Sequence, residues 1–386
     1  QGYHDMAVGG DGSVYFLAHT YYTPPMVTAD AIFPTMQGIE DGFIMKFSGC
    51  DYSLTYASCF GGTGHEELTC IEVDRRGRLA IMGPTIYAGQ FPLKNPAQYT
   101  QCAGYTYCVS VLSPDLDEIE YSTYLGGSKS LDVPFGYFNK QVGFDSTGNF
   151  YCLVYNTSPN IPGVTPIPGL PAYSGSDLML CKFDIAGKLV LGAPIMPYQY
   201  SGGSSLDVDS RGTVVLFTEK NAVAERNPVF NRPQGVRSTS AMFVIDTNIP
   251  EFLMASWIPT TNIPFGRIHG GAIYVTGISD STYVSATPGR RGYTPPRADV
   301  ALVKLDSDHL WKYSAEVTTK EQSPKFVLSG QDTIMVDDIR RFILPGSYQL
   351  RTVLRNMNST ALDSLTLELT LPPFLRWPSG EQVYII

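Results

Sequence analysis

The stretch VGFDSTGNFYCLVY, Val142 to Tyr155, reads as a strand, an Asp-Ser-Thr-Gly reversal and a second strand. Asp at the start of such a reversal accepts backbone N–H groups, and the Gly takes a positive φ, so the chain turns back tightly between two strands. The same device recurs in IEVDRRGRLAIMG from Ile71 and in LDVDSRGTVVLFT from Leu206. Looser forms are AVGGDGSVYFLAH from Ala7 and GRIHGGAIYVTGI from Gly266. The turn positions are thus Asp74 and Gly77, Asp145 and Gly148, and Asp209 and Gly212. DVDSRG, Asp207 to Gly212, also places Asp at alternate positions, but a calcium loop of the EF-hand kind needs more oxygen ligands and a distal Glu. A turn is the better reading.

Working outward, each hairpin opens a repeat of about sixty residues. A Pro-containing loop follows, then an apolar third strand such as DGFIMKF, SDLMLCKFD or ADVALVKLD, then a short turn and a fourth strand such as LTYASCFGG or IEYSTYLGG. The marker prolines Pro34, Pro92, Pro162, Pro228 and Pro288 are 58, 70, 66 and 60 residues apart. Loop insertions absorb that variation. The third strands are almost continuously apolar, so both of their faces are expected to be covered. Four antiparallel strands per unit, stacked on neighbours at both faces, is the design of a propeller blade. The expected fold is all-β, a β-propeller of four-stranded blades with about five repeats over 1–318. Five blades closing a ring and part of a larger propeller both fit the count.

Composition agrees with a turn-rich β protein. The 386 residues include 37 Gly, 28 Pro and 24 Tyr, and only 16% are charged, against a typical charged share of roughly 25%. The net charge is −9 with no basic block, so nucleic acid is not an expected partner. No apolar run approaches the roughly 20 residues that span a bilayer. A chain opening on Gln1 rather than Met reads as processed or excised.

YSTYLGG (Tyr121 to Gly127), the VGFDSTGNFYCLV hairpin, the FP loops and DGFIMKF together resemble the bacterial SBBP family of β-propeller repeats. The resemblance spans about residues 1–316 and is strongest in the second repeat. It implies a secreted or cell-surface propeller within a larger bacterial protein, and it carries no catalytic residues over.

After KEQSPKF the hairpins stop. Leu365, Leu367, Leu369 and Leu371 alternate with polar residues, a period-2 strand with one buried face. YQLRTVLRN alternates similarly. Residues 319–386 resemble an Ig-like module of bacterial surface proteins, a small β-sandwich that is incomplete or completed by a partner. The terminal QVYII reads as an apolar edge strand, a pairing liability unless covered.

The seven cysteines lack any C-x-x-C spacing. Cys152 and Cys181 fall on neighbouring strands and are a candidate disulfide, with small buried hydrophobes as the other reading. The five histidines form no metal-binding spacing. GHEELTC puts His65 beside Glu66 and Glu67, but neighbours on a strand point to opposite faces, so His65 reads as a loop or blade-edge residue. No G-x-S-x-G or Walker A motif occurs. Asp115, Asp117, Glu118 and Glu120 read as a solvated turn. Trp257, Trp311 and Trp377 read as packing residues, with sugar stacking as the alternative.

The expected function is therefore that of a non-catalytic structural or interaction module, not an enzyme. No cofactor or metal is expected. The expected partners are proteins or copies of this chain in a secreted or surface assembly or adhesin. Carbohydrate binding is the first alternative. A hydrolase using the propeller's central channel is the second.

Overall fold

The computed structural model describes residues 3–86, 90–101, 104–127, 141–156, 163–172, 174, 177–197, 204–219, 240–258, 265–269, 272–279, 299–305, 334–336 and 354–356. The chain divides into two compact units, Gln1–Lys304 and Leu305–Ile386.

The first unit is a β-propeller. Its first blade comprises β1 (Tyr3–Val8), β2 (Val14–Thr20), β3 (Asp41–Phe47) and β4 (Leu54–Phe60), antiparallel in that order. The second holds β5 (His65–Glu66), β6 (Cys70–Val73), β7 (Leu79–Ile86), β8 (Thr106–Leu112) and β9 (Ile119–Leu125). The third is β10 (Val142–Phe144), β11 (Phe150–Asn156), β12 (Asp177–Phe183) and β13 (Leu189–Pro197). The fourth is β14 (Ser204–Val208), β15 (Thr213–Glu219), β16 (Ser240–Asp246) and β17 (Glu251–Trp257). The described part of the fifth is β18 (Phe265–His269), β19 (Ala272–Ser279) and β20 (Asp299–Leu305). The inner strands neighbour one another in the order β1, β6, β10, β14, β18.

Strand alternation explains why the blades stack. Along β11, Phe150, Cys152 and Val154 join the core shared with the second blade, beside Ala80, Val109 and Val111. Tyr151, Leu153 and Tyr155 join the core shared with the fourth, beside Leu206, Val214 and Phe243. Met179 and Cys181 of β12 likewise face one side while Leu178 and Leu180 face the other. Each such side chain leaving water contributes roughly 1.5–3 kcal/mol, and only blades on both sides supply the cover.

The blades repeat in detail. Lys46 stands opposite Tyr15 in register, its Nζ 5.2 Å from the ring centroid, and Lys182 stands opposite Tyr151 at the same distance. A register shift falls near the end of the third strand in four blades, at Lys46/Phe47, Val111/Leu112, Lys182/Phe183 and Val244/Ile245.

In the second unit, β21 (Ile334–Val336) and β22 (Leu354–Asn356) pair antiparallel. Leu365 to Leu371, QVYII, Trp311, Trp377 and His309 lie outside the described residues, as does most of the segment expected to be Ig-like.

Candidate functional site

Strand order sorts the loops. In the first four blades the hairpin turns between first and second strands, and those between third and fourth, lie at one end of the propeller. Among the described residues, the Pro-containing connection between β2 and β3 and the connection from β4 to β5 lie at the other.

At the turn end the expected positions are structural. Gly77, Gly148 and Gly212 have φ of 87°, 89° and 84°. Their N–H groups donate to the carbonyls of Asp74, Asp145 and Asp209 at 3.0–3.1 Å. Each Asp Oδ1 accepts two further amides, from Arg76 and Arg78, Thr147 and Asn149, and Arg211 and Thr213, all within 3.0 Å. Asp207 points elsewhere: its Oδ2 accepts the Ile268 N–H at 2.6 Å and its Oδ1 pairs with Arg267 at 3.3 Å. Asp207 and Asp209 therefore form no shared cation loop. In the turn between β8 and β9, Asp117 accepts the Ser113 hydroxyl and Glu118 pairs with Lys94, while Glu120 lies in β9 and pairs with Arg78. Cys152 and Cys181 are direct register partners and both are buried free thiols. Burial, with Cys181 beside it, pushes the Cys152 thiol well up.

The opposite end holds a cluster that the sequence does not announce. Glu40 immediately precedes β3 and is buried. Its Oε1 meets Nδ1 of His19, near the end of β2, and its Oε2 meets Nε2 of His65 in β5. His65 Nε2 is also 3.6 Å from Glu67 Oε1. One donor atom each from Glu40, His65 and Glu67 lies within 4.8 Å of the others. Glu40, foremost, holds the phenol of the exposed Tyr21 above its ordinary value.

The backbone fixes these groups. Residue 65 bridges residue 40 in parallel while pairing antiparallel with Ile86 of β7. The Glu66 N–H donates to the Glu40 carbonyl at 2.9 Å, and the Ile39 N–H to that of Gly64 at 2.8 Å. β5 thus laces the first blade to the second. Glu66 faces away from His65, taking the Gly62 N–H and the Thr85 hydroxyl at 2.8 Å each. Asp41 takes the Gln37 and Gly38 amides at 2.7 and 3.2 Å. Burial pushes both of these carboxyls up. Burial also raises Glu67, with His65 acting against it and Glu40 with it.

His65, read as a loop or blade-edge residue, lies on the short edge strand β5 of the second blade. Adjacent Glu66 does point to the other face, but Glu67, two residues on, returns to the side of His65. Glu40 and His19 arrive from another blade. The sequence signals were GHEELTC, which holds His65 and Glu67, and the acidic pair Glu40-Asp41 where a third strand opens.

No family model matches the chain, and no curated protein matches it. Among solved structures it is similar to a mutant of Bacillus megaterium levansucrase, at 10% identity and a TM-score of 0.34, over 79% of this chain and 83% of that one. It is also similar to Pyrococcus horikoshii acylaminoacyl peptidase, at 10% identity and 0.33, over 92% of this chain and 50% of that one. An acylaminoacyl peptidase bound to Z-Gly-Gly-Phe-chloromethyl ketone gives 10% and 0.28, over 71% and 42%. The likeness concerns the fold alone. The matched structures are nonetheless those of enzymes, so the expectation that this chain is not an enzyme is withdrawn.

Proposed function

We propose that this chain is a β-propeller that binds a divalent metal ion at the junction of its first two blades, with Glu40, His65 and Glu67 as ligands. The convergence of three metal-ligating side chains from two blades within 4.8 Å carries the reading. Tetrahedral donors at about 2.0–2.2 Å from zinc stand roughly 3.3–3.6 Å apart, and His65 Nε2 and Glu67 Oε1 are 3.6 Å apart. The ion would take the place of the direct contact between Glu40 and His65. One imidazole with two carboxylates suits zinc, manganese, iron or cobalt better than calcium, which prefers all-oxygen cages. Calorimetric titration of metal-stripped protein with Zn²⁺ or Co²⁺ is expected to show one site per chain. Glu40→Gln and His65→Ala should each weaken it by more than about tenfold, since even residues behind the ligands tune affinity by that much. A sub-stoichiometric response, or one indifferent to both variants, overturns the proposal.

The proposed setting is a secreted or surface-exposed bacterial assembly in which protein partners or further copies of the chain dock. The support is the resemblance of the repeats to SBBP propellers and of the C-terminal segment to Ig-like modules. Removing EQVYII tests the docking part. A truncated protein that assembles like the full chain would rule out strand exchange there.

A further inference from the structure

At the seam between the third and fourth blades, an amine stands against a carboxamide. Lys182 of β12 is buried, and its Nζ donates to Oδ1 of Asn248, in the turn between β16 and β17, at 2.9 Å. The same Nζ is 3.3 Å from Thr247 Oγ1. We propose that Lys182 and Asn248 join through an isopeptide bond, formed by the folded chain itself, that ties the two blades covalently. This bridge needs no metal and stands apart from the junction of the first two blades.

A lysine attacks a carbonyl carbon only as the neutral amine, the form that burial favours. Lys182 lies over the Tyr151 ring, with Nζ 5.2 Å from the centroid, and forms no ion pair among the described residues. Its polar contacts, Asn248 Oδ1 and Thr247 Oγ1, are uncharged. Burial pulls the amine below the ordinary lysine value, with Asp145 and Asp246 acting against that shift.

The carboxamide is held as firmly as the amine. The Asn248 backbone N–H donates to Asp246 Oδ1 at 2.9 Å, and its Nδ2 donates to the Arg211 carbonyl in the turn between β14 and β15. Oδ1 therefore faces the amine while Nδ2 faces away from it. Holding two groups in contact in this way replaces a bimolecular encounter, with effective concentrations of roughly 10⁵–10⁸ M in well-oriented cases. From Oδ1, Nζ has only to shift to the next atom of the same group, the carbonyl carbon Cγ.

The step balances without a co-reactant. The Nζ lone pair forms the new bond to Cγ, the Cγ–Nδ2 bond breaks, and Nδ2 leaves as ammonia with the proton that Nζ gives up. The Thr247 hydroxyl, in contact with Nζ, is placed to carry that proton. The repeat also supplies a comparison. Lys46 stands opposite Tyr15 in the first blade as Lys182 stands opposite Tyr151, but no side-chain amide meets its amine among the described residues.

The test is mass spectrometry of the full chain after folding, followed by denaturation, reduction and tryptic digestion. The chain is expected to weigh one ammonia less than its sequence requires. The digest should contain a branched peptide that holds both Lys182 and Asn248, with no cleavage after Lys182. Lys182→Arg and Asn248→Ala should each restore the full mass and separate the two peptides, whereas Lys46→Arg should leave the bridge in place. A chain of full mass that trypsin cuts after Lys182 overturns the proposal. So does an ammonia loss traced to cyclisation of Gln1, with Lys182 and Asn248 in separate peptides. A branch at Lys182 that persists in Asn248→Ala overturns the choice of Asn248.

Discussion

Arg78 of the second blade donates from Nη2 to the carbonyl oxygen of Gly148 in the third, at 2.6 Å. The same guanidinium donates from Nε to Asp74 at 2.7 Å and from Nη1 to Glu120 at 3.2 Å. One buried cation therefore closes a turn, ties it to the fourth strand of its own blade and joins the next blade. Removing it leaves Asp74 buried without its counter-charge. Arg78→Ala is expected to cost about 3–5 kcal/mol, the usual penalty for breaking a buried pair from one side. Arg78→Lys should recover only part, because an ammonium cannot make the three directed contacts of the planar fork. Urea unfolding midpoints of the three proteins check this, and equal midpoints would mean that the clamp contributes nothing.

At the other end, Gly38 has no room for a side chain. A Cβ there would lie 2.3 Å from the Gly64 carbonyl oxygen and 2.6 Å from that of Gly62. Both are backbone atoms of the segment that leads into β5. Gly38→Ala is expected to push that segment away from Glu40, lower stability by about 1–3 kcal/mol and weaken metal binding. Calorimetric metal titration alongside thermal unfolding separates the effects. Unchanged metal affinity would show that β5 is free to adjust.

Asp145 makes part of the stability dependent on pH. Burial pushes its carboxyl up, but hydrogen bonds from Thr147, Asn149 and Tyr151 outweigh burial and leave it below the ordinary 3.8. The folded chain thus binds this proton less readily than the unfolded chain. The stabilisation is complete above 3.8 and is lost as the pH falls through the lower folded value. Asp145→Asn should cost about 1–3 kcal/mol at neutral pH and less in acid. Urea midpoints compared between about pH 6 and pH 3 check the sign; a cost that grows in acid would contradict it.

The thiols should divide by burial. Cys50 is exposed, whereas Cys59, Cys70, Cys108, Cys152 and Cys181 are buried. Burial raises Cys59 to about 11 and pushes Cys108 well up, and a thiol reacts through its thiolate. In the native protein an aromatic disulfide reagent should label Cys50 rapidly and these five only on unfolding. Alkylation in denaturant without reductant should modify both Cys152 and Cys181. A pair resistant to alkylation until reduced would show that they are joined.

The hairpins were legible because their chemistry is local. Asp145 caps its own turn through amides two and four residues on, and Gly148 supplies the positive φ within the same four residues. Even the loose first copy keeps the geometry. There Gly9 stands where the others have Asp, and Asp11 accepts the Ser13 amide instead, at 3.0 Å. The almost continuously apolar third strand SDLMLCKFD likewise foretold two covered faces, one taking Cys181 and the other Leu180.

The candidate metal cluster was not legible as a whole for the opposite reason, although His65 and Glu67 lie two residues apart in GHEELTC. His19, Glu40 and His65 are separated by 21 and 25 residues, and no spacing rule links them. They meet because β5 leaves the first blade, bridges residue 40 in parallel and then pairs with β7 of the second. The Arg78 clamp is equally non-local, since Gly148 lies 70 residues away.

By itself, the sequence determined the turns, the strands, the blade repeat and hence the propeller, because each depends on residues within one hairpin or on the apolar run of one strand. Only the tertiary structure decided which polar residues converge. Blade packing sets the distance between side chains on different repeats, and burial at the seam leaves Glu40 and its imidazole partners facing one another instead of water.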